Sequence, residues 1–448
     1  MAERNSRRIM GIPNEFWIGF VIMCGFFLKV VYVINAGFEN TTFQSGMWQE
    51  ITETAPAGGH LGYIEYLFMF HKLPSVNPSE YACFANPPLY YVFAALLMEF
   101  FHRLLNWPAG IALHTIQCIN VIFVLVGECC GIGILQKFQV KGRKMVVAIL
   151  FLLLFPLFYH LSAAMDGSGP AFMFSMLCLN NVLAWYRSRR YQVLRGAAIE
   201  FGLGMMCSYM TLLILPALIV IMYYASFDGR RNQTPLKVQF RNFAIITSLM
   251  SFWWPIYLSI RWHLPLFYVQ MPQGAELHAG IFDRLRIPGP ILLGHLHTGG
   301  NGALEYNIWA QLFKTAIVDF NAIDISLSGT YMITTFAVYL SLVICLLAHI
   351  MLFSLLISSK LERAPRRFLG IGYFAQLIGY VCVCLYYPTT GIMNLRWIAS
   401  SVIYPLIGLS LIGNSEDSTR AGRVLSWAVS MMILLLSFIT AFLFGFYA

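Results

Sequence analysis

Two ionisable residues stand at positions where a chain seldom places them without a reason. Asp166 interrupts a long apolar stretch in FYHLSAAMDGSGPAF, and Arg396 opens another in MNLRWIASSVIYPL. A carboxylate beside apolar residues at the mouth of a span is costly unless it is paired or functional. The planar fork of Arg396 can grip a phosphate through two parallel hydrogen bonds, although a snorkelling side chain is the plainer alternative. A base need only reach a hydroxyl to about 3 Å, so Glu50 and Glu53, in TTFQSGMWQEITETAPAGGH, are further proton acceptors to weigh. The His295-Leu296-His297 triplet with Glu305 has no third ligand at diagnostic metal spacing. Lys29, Glu128 and Glu200 fall inside apolar runs and carry the default suspicion of buried charges.

The elements that must hold these residues are membrane helices. Of 448 residues 58% are hydrophobic and 11% charged, with a mean hydropathy of +0.68, which no water-soluble surface of this size would tolerate. Runs long enough to cross about 30 Å of hydrocarbon lie at 15–36, 110–136, 144–163, 168–187, 242–261, 331–358, 367–386, 396–413 and 424–447. The run 195–227 is too long for one crossing and is polar at Cys207, Ser208 and Tyr209, so it reads as two short spans. The run 87–105 carries Glu99, His102 and Arg103 in its last third. If 87–105 does not cross, most of the 29 Lys and Arg collect on one side, as the positive-inside rule requires. The expectation is an all-α polytopic membrane protein of about eleven spans. Its N-terminus is cytoplasmic, its C-terminus outside, and no signal peptide is cleaved. The net charge of +9 follows from this topology and not from nucleic-acid binding. Nine of the ten cysteines sit in apolar runs and predict neither disulfides nor a zinc site, and Cys83 stands alone in a polar loop.

On this topology the chain is one transmembrane domain over 1–448, with a first exterior loop at 37–109 and a second at 262–330. No soluble C-terminal domain is expected. In the first loop Leu61, Ile64, Leu67 and Phe68 recur at helical spacing, with His60, Glu65 and Lys72 at polar positions, which predicts an amphipathic juxtamembrane helix. Pro87 and Pro88 suit the start of a second one, and Tyr90 and Tyr91 follow at the interface. A packed cap with no ligand is the alternative.

GHLGYIEYL, a Leu-Pro and PPLYY in this loop resemble the first exterior loop of the GT-C superfamily of membrane glycosyltransferases, nearest to bacterial dolichyl-phosphate-mannose protein mannosyltransferase-like proteins. The resemblance continues in order through FPLFYHLSAAMDGSG, GLGMMCSYMTLLILP, FWWPIYLSIRWHLPLFYV, EYNIWAQLFKTAIVDF and MNLRWIASSVIYPL. It implies a GT-C-type bundle that moves a sugar from a polyprenyl-phosphate donor to an acceptor hydroxyl with inversion, on the non-cytoplasmic face. The acceptor is a protein, glycan or lipid, and the membrane is the plasma (inner) membrane of a bacterium or the ER of a eukaryote.

The resemblance places the catalytic acid on the first loop and a second acid on the next exterior turn. This chain has Gly46 where relatives carry the first aspartate, two residues after Gln44, and the second acid of close relatives falls at what is Ser168. Catalysis is therefore assigned to Asp166, Glu50 and Glu53. Donor phosphate binding goes to Arg396 and to Lys314 of the matched Lys-Thr, and substrate binding to His60, Tyr63, Glu65, Tyr90 and Tyr91. A divalent cation, Mg2+ or Mn2+, is a candidate cofactor, and His60 could bind it or a sugar hydroxyl. The rival readings are a GT-C relative that has lost catalysis and binds lipid or a partner, and a transporter or flippase of lipid-linked precursors. A transporter would carry paired broken helices and an internal repeat.

Overall fold

A computed structural model describes residues 8–9, 12–40, 52–54, 56–81, 83–228, 234–269, 279–288, 306–317, 328–358, 361–387, 389, 391–411 and 420–446. Glu50, His295, His297 and Glu305 lie outside the described residues. A two-residue antiparallel pair, Arg8–Ile9 with Ile12–Pro13, precedes helix α1 (Asn14–Asn40). Everything that follows in the described chain is helix or loop. The helices are α2 (Gly59–Phe70), α3 (Leu89–Met98), α4 (Ala109–Lys137), α5 (Gly142–Leu154), α6 (Pro156–Ala163), α7 (Ser168–Ser188) and α8 (Tyr191–Cys207). They continue with α9 (Leu215–Phe227), α10 (Leu236–Trp262), α11 (Ile281–Leu285), α12 (Ile308–Ile317), α13 (Ser328–Ile357), α14 (Arg363–Tyr386), α15 (Ile403–Leu411) and α16 (Arg420–Phe446).

Seven helical stretches are long and apolar enough to cross a membrane, or eight when α5 and α6, bent by 42°, count as one. The other three expected spans are also helical but fall short by length or composition. Helix α7 carries Asn180, Asn181 and Arg187; α8 has 17 residues and includes Arg195 and Glu200; Leu395–Leu411 has 17 residues. The breaks have local causes. Pro156 opens α6, because its ring cannot continue the hydrogen-bond ladder of α5. At Ser208 the backbone turns extended and the hydroxyl accepts from the Met210 amide at 3.3 Å, which starts a 3-10 turn, Tyr209–Ile214. This break falls inside the polar triplet that predicted it.

Two polar ties hold the bundle where apolar packing alone sets no register. Lys29 of α1 meets Glu128 of α4 at 2.9 Å, with both side chains fully buried, and donates also to the Leu153 carbonyl at 2.6 Å. Trp185 of α7 donates to Gln239 of α10 at 2.8 Å.

The run 87–105 forms a short α3 and a π-helical turn, Glu99–Leu104, and is not among the crossing helices. Its charges are solvated: Arg103 pairs with Glu99 at 2.9 Å, and His71 approaches Glu99 to 3.4 Å. Helix α2 corrects the amphipathic expectation, since every residue from Gly59 to Phe68 is buried. Its polar positions are covered by α3 and by the aromatic residues ahead of it. Phe84 stacks on Tyr63 at 4.8 Å, and Tyr91 covers the same ring at 4.4 Å. Trp254 of α10 donates to the Ala85 carbonyl at 3.2 Å and pins this cover to the bundle.

Candidate active site

Three breaks in the helical bundle converge at one end of α2, and each is closed by a side chain that accepts the amide two residues on. Ser208 does this for Met210. Asp166 Oδ1 accepts from the Ser168 amide at 2.8 Å, and Asn394 Oδ1 from the Arg396 amide at 3.0 Å. The Asp166 turn docks on the Ser208 break so closely that a Cβ on Gly167 would lie 2.0 Å from the Cys207 carbonyl oxygen. Arg396 rides on a second 3-10 turn, Leu395–Val402, whose first amide donates to Thr315 Oγ1 of α12 at 3.0 Å.

Asp166 is fully buried. The Ser168 hydroxyl also donates to its Oδ1. Its Oδ2 makes no well-angled hydrogen bond but faces Arg396 Nη1 at 3.1 Å and His60 Nε2 at 4.0 Å. Burial pushes this carboxyl up, and Arg396, His60 and the Ser168 donors together outweigh that and hold it below the ordinary value. Arg396 is itself buried, and its Nε has no hydrogen-bond acceptor among the described residues.

A hydrogen-bonded chain leads from the cleft to this ion pair. Asn86 Nδ2 donates to the Tyr91 hydroxyl at 3.0 Å, and that hydroxyl lies 2.7 Å from His60 Nδ1. With Asn86 donating, the Tyr91 proton is directed at Nδ1, which leaves the ring N–H on Nε2, facing Asp166. Burial pushes His60 down to about 4, with Asp166 opposing and Arg396 adding to the shift, so the imidazole is neutral at pH 7.

These groups line a cleft of about 110 Å³, walled by His60, Asn86, Tyr91, Ser208, Arg396 and Trp397 among others. On the other side of the Leu395–Val402 turn lies a cavity of about 230 Å³ with an apolar lining that includes Trp309, Phe313, Leu395, Ile398 and Val402. One turn thus presents a cation to a cleft of mixed lining and aliphatic side chains to an apolar one.

Of the residues singled out in the sequence, the structure brings together Asp166, Arg396, His60 and Tyr91. It does not bring in the rest that it describes. Glu53 is exposed and paired with Lys72. Tyr63 supports Tyr91 from behind, and Tyr90 accepts from Asn120 at 3.0 Å, which also donates to the Ala164 carbonyl at 2.7 Å and so steadies the Asp166 turn. Glu65 and Lys314 are buried and are not in the cleft wall. Asp166 is not in the wall either; it lies behind His60 and Arg396. Asn86 and Asn394 were passed over by sequence reasoning, and Ser168 and Thr315 were given no role by it. The visible signal was an Asp or Asn two positions ahead of Ser168 and Arg396.

No family model matches this sequence, and no curated protein does. Among solved structures the chain is similar to the arabinofuranosyltransferase AftD from Mycobacteria, with a TM-score of 0.49 and 14% identity over 95% of this chain and 26% of that one. A structure of a mutant of that enzyme gives 0.47 and 11% over 95% and 27%. An oligosaccharyltransferase from Archaeoglobus fulgidus, in complex with Zn and sulfate, gives 0.49 and 13% over 95% and 53%. The chain therefore spans between a quarter and about half the length of these proteins.

The donors around Asp166 do not fit a divalent cation as they stand. One carboxylate oxygen is saturated by Ser168, the other faces a guanidinium, and a metal there would meet the charge of Arg396. Among the described residues no three His, Cys, Asp or Glu converge.

Proposed function

We propose that the chain is an integral-membrane glycosyltransferase of GT-C type, which moves a sugar from a polyprenyl-phosphate donor to an acceptor hydroxyl on the non-cytoplasmic side. The observation that carries this reading is the buried Arg396, paired with Asp166 at 3.1 Å yet with no acceptor for its Nε among the described residues, in the wall of the cleft. A buried guanidinium donor without a partner is costly, and a phosphate oxygen relieves it. The apolar cavity across the same turn suits the first isoprene units of the donor.

In this reading the acceptor oxygen attacks the anomeric carbon from the face opposite the phosphate. The C1–O bond to phosphate breaks as the new C1–O bond forms, which inverts the configuration. The leaving phosphate keeps the electron pair and is held by Arg396. The acceptor proton passes to the Tyr91 oxygen while the Tyr91 proton moves to His60 Nδ1, and the resulting imidazolium faces Asp166. Asp166 is then a positioning residue that orients Arg396 and neutralises His60, and the bases in contact with substrate are Tyr91 and His60.

The test is transfer from labelled polyprenyl-phosphate sugars by the purified protein in liposomes, with donor binding measured separately. Arg396→Ala is expected to abolish donor binding. Tyr91→Phe is expected to keep donor binding and lower turnover by about 100-fold or more, the range for loss of a proton-transfer group. Transfer by Arg396→Ala at the wild-type rate would overturn the reading. Donor binding without transfer by the wild type would favour a catalytically silent relative.

A further inference from the structure

Away from the cleft, helices α13 and α14 splay apart and leave a groove of about 630 Å³. Its lining runs along one face of α14, through Gly370, Ile371, Phe374 and Ile378, with Leu356 of α13 on the opposite wall and Arg366 and Arg367 at one end. Phe374 and Ile378 are 41% and 58% exposed, so this face is only partly covered, Phe353 of α13 stacking on Phe374 at 6.0 Å. The arginines are not spent on carboxylates, since neither has an ion pair among the described residues. Arg366 Nη1 donates to the Ser358 carbonyl at 3.0 Å, which ties its guanidinium to the end of α13 at the groove mouth.

We propose that this groove binds one anionic phospholipid, with its phosphate on Arg366 and Arg367 and an acyl chain along Gly370, Phe374 and Ile378. Charge complementarity selects the headgroup: two guanidinium forks without carboxylate partners among the described residues stand at the end of the apolar stripe, and forks of this kind match phosphate oxygens. Length selects the chain. At 1.5 Å per residue the stripe from Arg367 to Ile378 is about 16 Å long, close to half of a roughly 30 Å hydrocarbon core, which is one leaflet. At Gly370 the two helices come together, since a Cβ there would press on the Leu356 side chain at 3.3 Å, and this contact forms the closed edge along which the chain lies. The opposite face of α14 holds the active-site segment. Gln376 accepts from Ser400 at 2.9 Å, and Tyr380 donates to the Ile392 carbonyl at 3.0 Å. An occupied groove therefore braces the helix that supports the Arg396 turn.

The experiment measures lipid retention by native mass spectrometry and thermal stability in detergent, with phosphatidylglycerol, phosphatidylcholine or inorganic phosphate added to the full chain. The wild type should retain phosphatidylglycerol and melt at a higher temperature with it, and neither phosphatidylcholine nor inorganic phosphate should match that shift. Arg367→Gln should weaken phosphatidylglycerol retention about tenfold or more. Ala375→Trp, which fills the groove and keeps both arginines, should abolish it. Equal retention of the two lipids by the wild type overturns the proposal, as does undiminished retention by both variants. A shift with inorganic phosphate as large as that with phosphatidylglycerol assigns the arginines to a free anion and also overturns it.

Discussion

Arg396 Nη1 stands 3.1 Å from Asp166 Oδ2, and the side chains are 6% and 0% exposed. The pair joins the turn between α6 and α7 to the turn ahead of α15. Removing one partner leaves a buried charge uncompensated, which costs about 3–5 kcal/mol, whereas removing both can be close to neutral. Asp166→Asn and Arg396→Gln should therefore each lower thermal stability in detergent, and the double variant should recover most of the loss without recovering transfer. Single variants as stable as the wild type would show that the pair is not formed.

His60 predicts a pH dependence of stability. Its folded value, about 4, is depressed from the ordinary 6.5 of an imidazole, so the unfolded chain binds the extra proton between these limits. Its contribution is fully present above pH 6.5 and is lost as pH falls through 4, a change on the order of 3 kcal/mol. Asp166 adds to acid sensitivity in a lower window, because its contribution is present above the ordinary value of 3.8 and is lost below it. His60→Gln should flatten the melting profile between pH 6.5 and 4 and leave the lower limb. An unchanged profile in that variant would place the titrating group elsewhere.

Two glycines two positions apart should respond differently to a methyl group. At Gly167 a Cβ meets the Cys207 carbonyl oxygen at 2.0 Å, and at Gly169 the nearest atom, the Leu161 oxygen, is 3.5 Å away. Gly167→Ala should cost at least the roughly 1–3 kcal/mol of an overpacked core and displace the Asp166 turn, while Gly169→Ala should be close to neutral. Melting temperatures of the two variants provide the comparison, and equal values would count against the close docking of the two breaks.

Lys29 and Glu128 offer a second buried pair far from the cleft chemistry. Lys29→Met should destabilise by several kcal/mol, since Glu128 is left without its cation, and Lys29→Met with Glu128→Gln should be more stable than Lys29→Met alone. A double variant no better than the single would mean that the two residues act independently. Transfer measured per folded molecule should be unaffected in the double variant.

The helical class, the apolar runs and their interruptions follow from the sequence, because each depends on one segment and its neighbours. The break at Ser208 was legible as a polar triplet in an oily run, and the three ionisable groups in the last third of 87–105 fall on its π-helical turn. Asp166 and Arg396 were legible singly, since an ionisable residue at the edge of an apolar stretch is expensive wherever the chain goes. Their partnership was not legible. It depends on three separate turns being docked on one another, and nothing local records that Asn394 aims Arg396 at the carboxylate Ser168 holds. The tertiary structure also decided that neither face of α2 is wet from Gly59 to Phe68. Periodicity assigned His60 to water, and packing put it between Tyr91 and Asp166, because a ring-lined cover contributed by residues 84–91 closes over the polar side. Burial is a property of what comes to lie against a segment, and that is settled only when the whole bundle has packed.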